Sequence, residues 1–258
     1  VVVYDVRGGD ERRREPTAFE LARASLASHR DVFFLSATPD GSRPLSKRAT
    51  KLERTKRQTR DVARMLLALV PLGARHVVLL EDDWLLCEGG LAALRYLLAK
   101  ASVYAPDFAA LRFSYGLNGI LLHSGDVPGL AAFLLDPAEP DNKLPDAPVD
   151  HLTYRWLRGK YAGGHAHFGA RRIVAFRHSL FWHVGDASAV GNTAARHKPR
   201  CYTINKEWLF EQESFHAHDC PDDDLWPCDG RECARLLGSL QRSEPLAWPE
   251  RGDFVRCR

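Results

Sequence analysis

Short apolar runs alternate with longer stretches of helical spacing along most of this chain. Val1 to Val6 (VVVYDV) and Asp31 to Leu35 (DVFFL) have the β-branched and aromatic content of strands. Between them, Pro16 to Ser28 carries Phe19, Leu21 and Leu26 at helical spacing. A long helix is predicted from Ser46 to Val70, charged at first and then apolar at Val62, Met65, Leu66 and Leu69. Val77 to Leu80 is apolar without a polar face, as in a strand buried on both sides. Helices are predicted over Gly89–Ala101, Val127–Leu135 (opened by Pro128) and Val149–Arg158. Strands are predicted over Asp107–Phe113, Asn118–Leu122, Arg172–Phe176 and Ser179–His183. This alternation predicts an α/β fold with a parallel sheet and right-handed crossovers. Gly8–Glu15 and Ala37–Pro44 read as loops, and the Pro- and Asp-rich stretch Asp136–Pro148 as a candidate lid. After Gly185 the pattern fades, so we expect one domain over 1–200 and an extension over 201–258 packed on it.

The apolar run at Val77–Leu80 leads directly into Glu81, Asp82 and Asp83, followed by Trp84. Three carboxylates at a strand end repel one another and lose hydration, so a counter-charge is expected. The carboxyl ends of strands in open α/β sheets are where ligands bind. A divalent cation with hard oxygen ligands, Mg or Mn, bridging a phosphate-bearing substrate, answers that need. A solvated acidic turn is the alternative.

Composition changes the picture little. The chain has 258 residues, 45% hydrophobic and 27% charged, with a net charge of +3. Those values suit a globular protein and give no reason to expect nucleic acid, although Arg12–Arg14 and Lys47–Arg60 form local basic runs. No apolar run approaches the roughly 18 residues of a membrane span. The chain opens inside an apparent strand without an initiator Met, which we read as a trimmed start from which a native signal or anchor could have been removed. Cys201, Cys220, Cys228, Cys233 and Cys257 crowd the last quarter, while Cys87 stands alone after the acidic triplet. Six cysteines suggest disulfides and an oxidising lumen. A zinc site from His216, His218, Cys220 and Cys228 is a rival reading, on a spacing that fits no standard pattern.

Further candidates follow if the triplet holds a metal and a diphosphate. Asp150 precedes the apolar-periodic Leu152, Trp156 and Leu157, where a carboxylate can take a proton from a hydroxyl or simply cap a helix. His183 ends the apolar run Leu180–Trp182, either as a metal ligand or as a hydrogen-bonded core histidine. Ser188 and Asn192 follow in a Gly-flanked loop that could meet phosphate. Lys56, Gln58 and Arg60 lie on the charged helix leading into the acidic strand, facing solvent or approaching a nucleotide. Paired acidic clusters at 81–83 and 222–224 raise a phosphohydrolase as a competing reading.

Taken in order, ERTKRQTRDVARML, HVVLLEDDW, RFSYGLNGILLHSGDVPGLAAFL, PVDHL and SLFWHVGDAS resemble glycosyltransferase family 54, the N-acetylglucosaminyltransferase IV enzymes that branch N-glycans. The resemblance spans roughly Glu53 to Ser188. It implies a GT-A fold (Rossmann-like, with a mostly parallel mixed sheet), a UDP-sugar donor (UDP-GlcNAc in the family), a Mn-type cation and inversion at the anomeric carbon. It implies that Glu81 and Asp82 lie near ribose and metal, that Asp83 and His183 are the metal ligands, and that Asp150 is the base. A Golgi-lumen location with a type II membrane anchor follows from the same resemblance. The segments before about Lys51 and after Cys201 depart from the family. The acceptor therefore stays open between a glycan and a glycolipid such as a GPI anchor, and a non-catalytic nucleotide- or carbohydrate-binding relative is the competing class.

Overall fold

The computed structural model describes residues 2–5, 18–28, 33–36, 49–135, 147–159, 171–176, 178–185 and 199–203. At its centre is a four-stranded sheet in the order β3 (His76–Leu79), β6 (Ile120–His123), β5 (Ala110–Arg112), β7 (Ile173–Ala175). Successive side chains of a strand point to opposite faces. Both faces are covered along β5, β6 and β7, whereas β3, expected to be buried on both sides, is an edge strand that alternates: Val77 and Leu79 are buried, Val78 and Leu80 exposed. Ile120 and Leu122 of β6, Ala110 of β5 and Ile173 of β7 share one core with three helices. Those helices contribute Leu66 from α2 (Lys51–Leu69), Leu130 and Leu134 from α4 (Val127–Leu135), and Trp156 from α5 (Val149–Leu157). The intervening Leu121, Leu111 and Val174 share a second core with Ala93, Leu97 and Ala101 of α3 (Gly90–Tyr104). The sheet is the middle layer of an α/β/α sandwich, which is why β5, β6 and β7 are buried without alternation up to His123 at the end of β6.

The sheet is mixed, as the resemblance implied, but it is mostly antiparallel rather than mostly parallel. β3 pairs antiparallel with β6 and β6 antiparallel with β5, while β5 and β7 run parallel. The reason is the length of the β5–β6 connection. A parallel crossover needs a dozen or more residues, and the short stretch from Phe113 to Gly119 permits only a hairpin. A separate parallel pair, β1 (Val2–Asp5) with β2 (Phe33–Ser36), flanks α1 (Ala18–Ser25), whose Phe19 meets Phe34 edge-on at 5.5 Å.

Two local features differ from expectation. Helix α2 begins at Lys51 rather than Ser46, because Thr50 and Glu53 form a capping box: the Glu53 amide donates to Thr50 Oγ1 at 3.2 Å and the Thr50 amide donates to Glu53 Oε2 at 2.6 Å. Directly after the acidic triplet, Trp84–Leu86 form a further strand, β4, which pairs antiparallel with β8 (Phe181–His183) and sets Trp84 opposite His183. Cys87, read as standing alone, is bonded to Cys201. The loops at 8–15 and 37–44, residues 136–146 of the candidate lid, Ser188, Asn192, the His216–Cys228 zinc reading and the acidic run 222–224 lie outside the described residues.

Candidate active site

The acidic triplet occupies a tight turn between β3 and β4, closed by the Trp84 amide donating to the Glu81 carbonyl at 3.3 Å. The turn separates the three carboxylates, so they are not one acidic face. Glu81 is drawn inward, Asp82 is exposed, and Asp83 turns toward β8.

Asp83 Oδ2 lies 3.0 Å from His183 Nε2, across 100 residues of sequence. Strand pairing brings them together: Trp84 stands opposite His183, and the Val184 amide donates to the Asp83 carbonyl at 2.9 Å. The Trp84 indole stacks on the imidazole at 4.7 Å with an 11° interplanar angle, which fixes the ring plane. Gly185 leaves room for this contact by having no side chain. A Cβ there would fall 2.0 Å from Asp83 Oδ2 and 2.9 Å from His183 Nε2, so the glycine of HVG is required by close approach.

One hard oxygen and one imidazole nitrogen 3.0 Å apart suit a divalent cation. Adjacent ligands of an octahedral ion at about 2.1 Å stand about 3 Å apart. Among the described residues no three His, Cys, Asp or Glu side chains form a complete cage. Two protein donors match the habit of Mg-type ions, which keep waters and take their remaining ligands from substrate phosphates.

Glu81 is held by a residue absent from the sequence expectations. The Glu81 amide donates to Asn118 Oδ1, and Asn118 Nδ2 donates to Glu81 Oε2, both at 2.7 Å. Gln58 Nε2 reaches Glu81 Oε1 at 3.4 Å. Burial pushes the Glu81 carboxyl above its usual range; the Asn118 bond pulls it down, and Asp83, Asp150 and Asp82 push it up. Asn118 sits in the β5–β6 turn, where Gly119 has φ +69° and lies against the Phe181 ring. The signal in the sequence was Asn118-Gly119, a turn dipeptide that was absorbed into an expected strand.

The same turn reaches Asp150. A Cβ on Gly116 (φ +63°) would sit 3.6 Å from Asp150 Oδ2. Pro148, not Asp150, is the N-cap of α5, so the capping reading is corrected: Asp150 is the second helical residue, and its Oδ1 takes the His151 amide at 2.9 Å. A negative side chain is favoured at this end of a helix. Beneath lies Arg112, buried, with Nη2 donating to the Gly116 carbonyl at 3.0 Å. Burial lowers the Arg112 guanidinium to about 10, against the upward pull of Tyr154, Asp150 and Tyr115, so it stays charged at neutral pH beside Asp150.

The structure thus gathers Asp83 with His183, and Glu81 with Gln58, while Glu81 and Asp150 are near enough to interact through charge. Lys56 is exposed and, two positions from Gln58, points to a different side of α2. The basic run is partly used internally: Arg57 Nε bonds Asp61 at 3.1 Å, Arg60 Nε the Lys56 carbonyl at 3.4 Å, and Arg54 Nε the Ala49 carbonyl at 3.2 Å.

No protein-family model matches the chain, and no solved structure gives a significant match. Among curated proteins, the chain is 31% identical over 152 residues to alpha-1,3-mannosyl-glycoprotein 4-beta-N-acetylglucosaminyltransferase C of Macaca fascicularis, covering 58% of this chain and 27% of that protein. It is 31% identical over 147 residues to the protein of the same name from Mus musculus, covering 57% of this chain and 26% of that protein. The match thus spans about a quarter of the length of these relatives.

Proposed function

We propose that this chain is a metal-dependent, inverting glycosyltransferase of GT-A type that moves a sugar, N-acetylglucosamine as in the names of its relatives, from a UDP-sugar to a glycan hydroxyl. The observation that carries the reading is the contact of Asp83 with His183, two metal-ligand types from distant parts of the chain, beside a held Glu81 and an Asp150. Similarity to two proteins named as N-acetylglucosaminyltransferases supports the same class.

In this reading Asp83 and His183 would hold Mn2+ or Mg2+, which would supply positive charge for the leaving UDP. Glu81, its carboxylate oriented by Asn118, accepts hydroxyl hydrogen bonds from the nucleotide, with Gln58 beside it and the exposed Asp82 on the same turn; Lys56, on a different side of α2, is left out of this contact. Asp150 takes the proton of the acceptor hydroxyl as that oxygen bonds to C1 from the face opposite the diphosphate. The C1–phosphate oxygen bond breaks, and UDP leaves with the bonding pair. Arg112 supports Asp150 from below as a fixed positive charge. Holding donor and acceptor in line supplies several kcal/mol more.

The Cys87–Cys201 disulfide supports an oxidising compartment, the Golgi lumen in this reading. Among the described residues no helix is long and apolar enough to cross a membrane.

The test is a thermal-shift panel of nucleotide sugars with and without Mn2+, followed by transfer assays on two variants. We expect a UDP-sugar to stabilise the protein only with the metal. Asp83→Ala should lose that shift and turnover together, whereas Asp150→Asn should keep the shift and lose turnover. Full activity of Asp150→Asn would give the base role to another group. Metal-dependent UDP binding without transfer or hydrolysis of any UDP-sugar would favour a binding protein, and release of inorganic phosphate would favour a phosphohydrolase.

A further inference from the structure

Residues 199–203 form a second flank for the strand that carries His183. On one side β8 pairs with β4. On the other, the His183 amide donates to the buried Pro199 carbonyl at 3.1 Å. The Ser179 amide donates to the Thr203 carbonyl and the Tyr202 amide to the Ser179 carbonyl, both at 2.8 Å. His178 Nδ1 meets the Tyr202 carbonyl at 3.1 Å, and the Tyr202 hydroxyl donates to the Glu88 carbonyl beside Cys87.

The Cys87–Cys201 bond therefore joins the segment leaving β4 to the segment on the far side of β8, closing a covalent clamp around the strand. Tyr202 within it has φ 57°, a left-handed conformation that bulky residues rarely adopt. Such a conformation persists only where the surroundings over-determine it, and it is commonest near functional sites.

We propose that Cys87 and Cys201 are positioning residues: their disulfide holds 199–203 against β8 and thereby sets the His183 imidazole against Asp83. The clamp itself stands on the hydrogen bonds above; its consequence for metal binding rests on the function proposed for that pair. A dithiol opens it by passing two electrons and two protons to the two sulfurs, giving two thiols and a cyclic disulfide of the reagent.

The test uses the 258-residue chain, oxidised, treated with dithiothreitol, and as Cys87→Ser/Cys201→Ser, with Leu66→Ala as a control that destabilises the core on the opposite face of the sheet. Hydrogen exchange of the His183 amide and Mn2+ affinity by electron spin resonance are read on each, at a temperature where circular dichroism shows all forms folded. Opening the clamp should speed His183 exchange by about tenfold or more, while Leu66→Ala leaves it unchanged. Mn2+ affinity should fall by about tenfold, as when support for a metal ligand is removed. Unchanged His183 exchange in the folded serine variant overturns the clamp, as does exchange raised equally by Leu66→Ala. If the oxidised chain binds no Mn2+, the metal-site reading falls, and the exchange comparison still decides the clamp. If exchange rises but Mn2+ affinity holds, the clamp does not set the imidazole, and the proposal fails at that step.

Discussion

Replacing Asn118 by leucine isolates what holds Glu81 in the acidic turn. The substitution keeps side-chain bulk and removes two hydrogen bonds of 2.7 Å, one from the Glu81 amide and one to its carboxylate. A neutral bond of this kind contributes about 1 kcal/mol and a bond to a charged group about 1.5–3 kcal/mol. Because the pair is only part-buried, water replaces some of this, and we expect a loss of about 2.5 kcal/mol near neutral pH. The loss should depend on pH in a known direction. Burial raises the Glu81 carboxyl in the folded state and Asn118 opposes that rise, so the variant should push it higher still. A carboxyl with a raised folded value binds its proton more tightly in the native state, so stability falls as pH rises through the window between the ordinary and folded values. The deficit of Asn118→Leu should therefore be largest near neutral pH and smaller near about pH 4.5, where Glu81 is increasingly protonated in both proteins. Urea unfolding at the two pH values, with a carboxyl carbon NMR titration of Glu81, measures both effects. A deficit below about 1 kcal/mol, or one of equal size at both pH values with an unmoved Glu81 titration, would refute the reasoning.

Two further outcomes follow from other contacts. Gly185→Ala should displace the Asp83 carboxylate, since the new Cβ would fall 2.0 Å from its Oδ2; Mn2+ affinity should drop by about tenfold or more while thermal stability changes little, and unchanged affinity would separate Gly185 from the site. At the other end of the sheet His76 and His123 face each other across β3 and β6, with ring centroids 5.1 Å apart, near Arg75, Asp107, Asp126 and Arg171. Burial lowers both imidazoles below their ordinary value, with the charges of His123 and Arg75 adding for His76, and Asp126 opposing for His123. The unfolded chain then binds these protons more readily, so stability should fall as pH drops below about 6.5, and His76→Gln/His123→Gln should flatten that slope in urea unfolding, opposite in sign to the contribution of Glu81.

Much of this molecule was decided locally. As candidates, Glu81, Asp82, Asp83 and His183 were legible because an apolar strand running into carboxylates, and an apolar run ending in histidine, are costly unless something uses them, and Asp150 because a carboxylate stands at a helix start. The inner strands β5 and β6, and β7, were legible because burial on both faces favours apolar runs, whereas the edge strand β3 leaves Val78 and Leu80 exposed despite the same apolar run. Tertiary structure alone decided the rest. Which strands run antiparallel depended on a short turn, and the strand at Trp84–Leu86 exists because Phe181–His183 arrives from far along the chain to pair with it. That pairing sends Asp83 to His183 and leaves Glu81 to Asn118, a residue that looked like ordinary strand sequence. It also gave Cys87 a partner 114 residues away. Apolar periodicity reports which side of an element is buried; it carries no record of which distant backbone will fill the hydrogen bonds of an edge, and the site is assembled from those bonds.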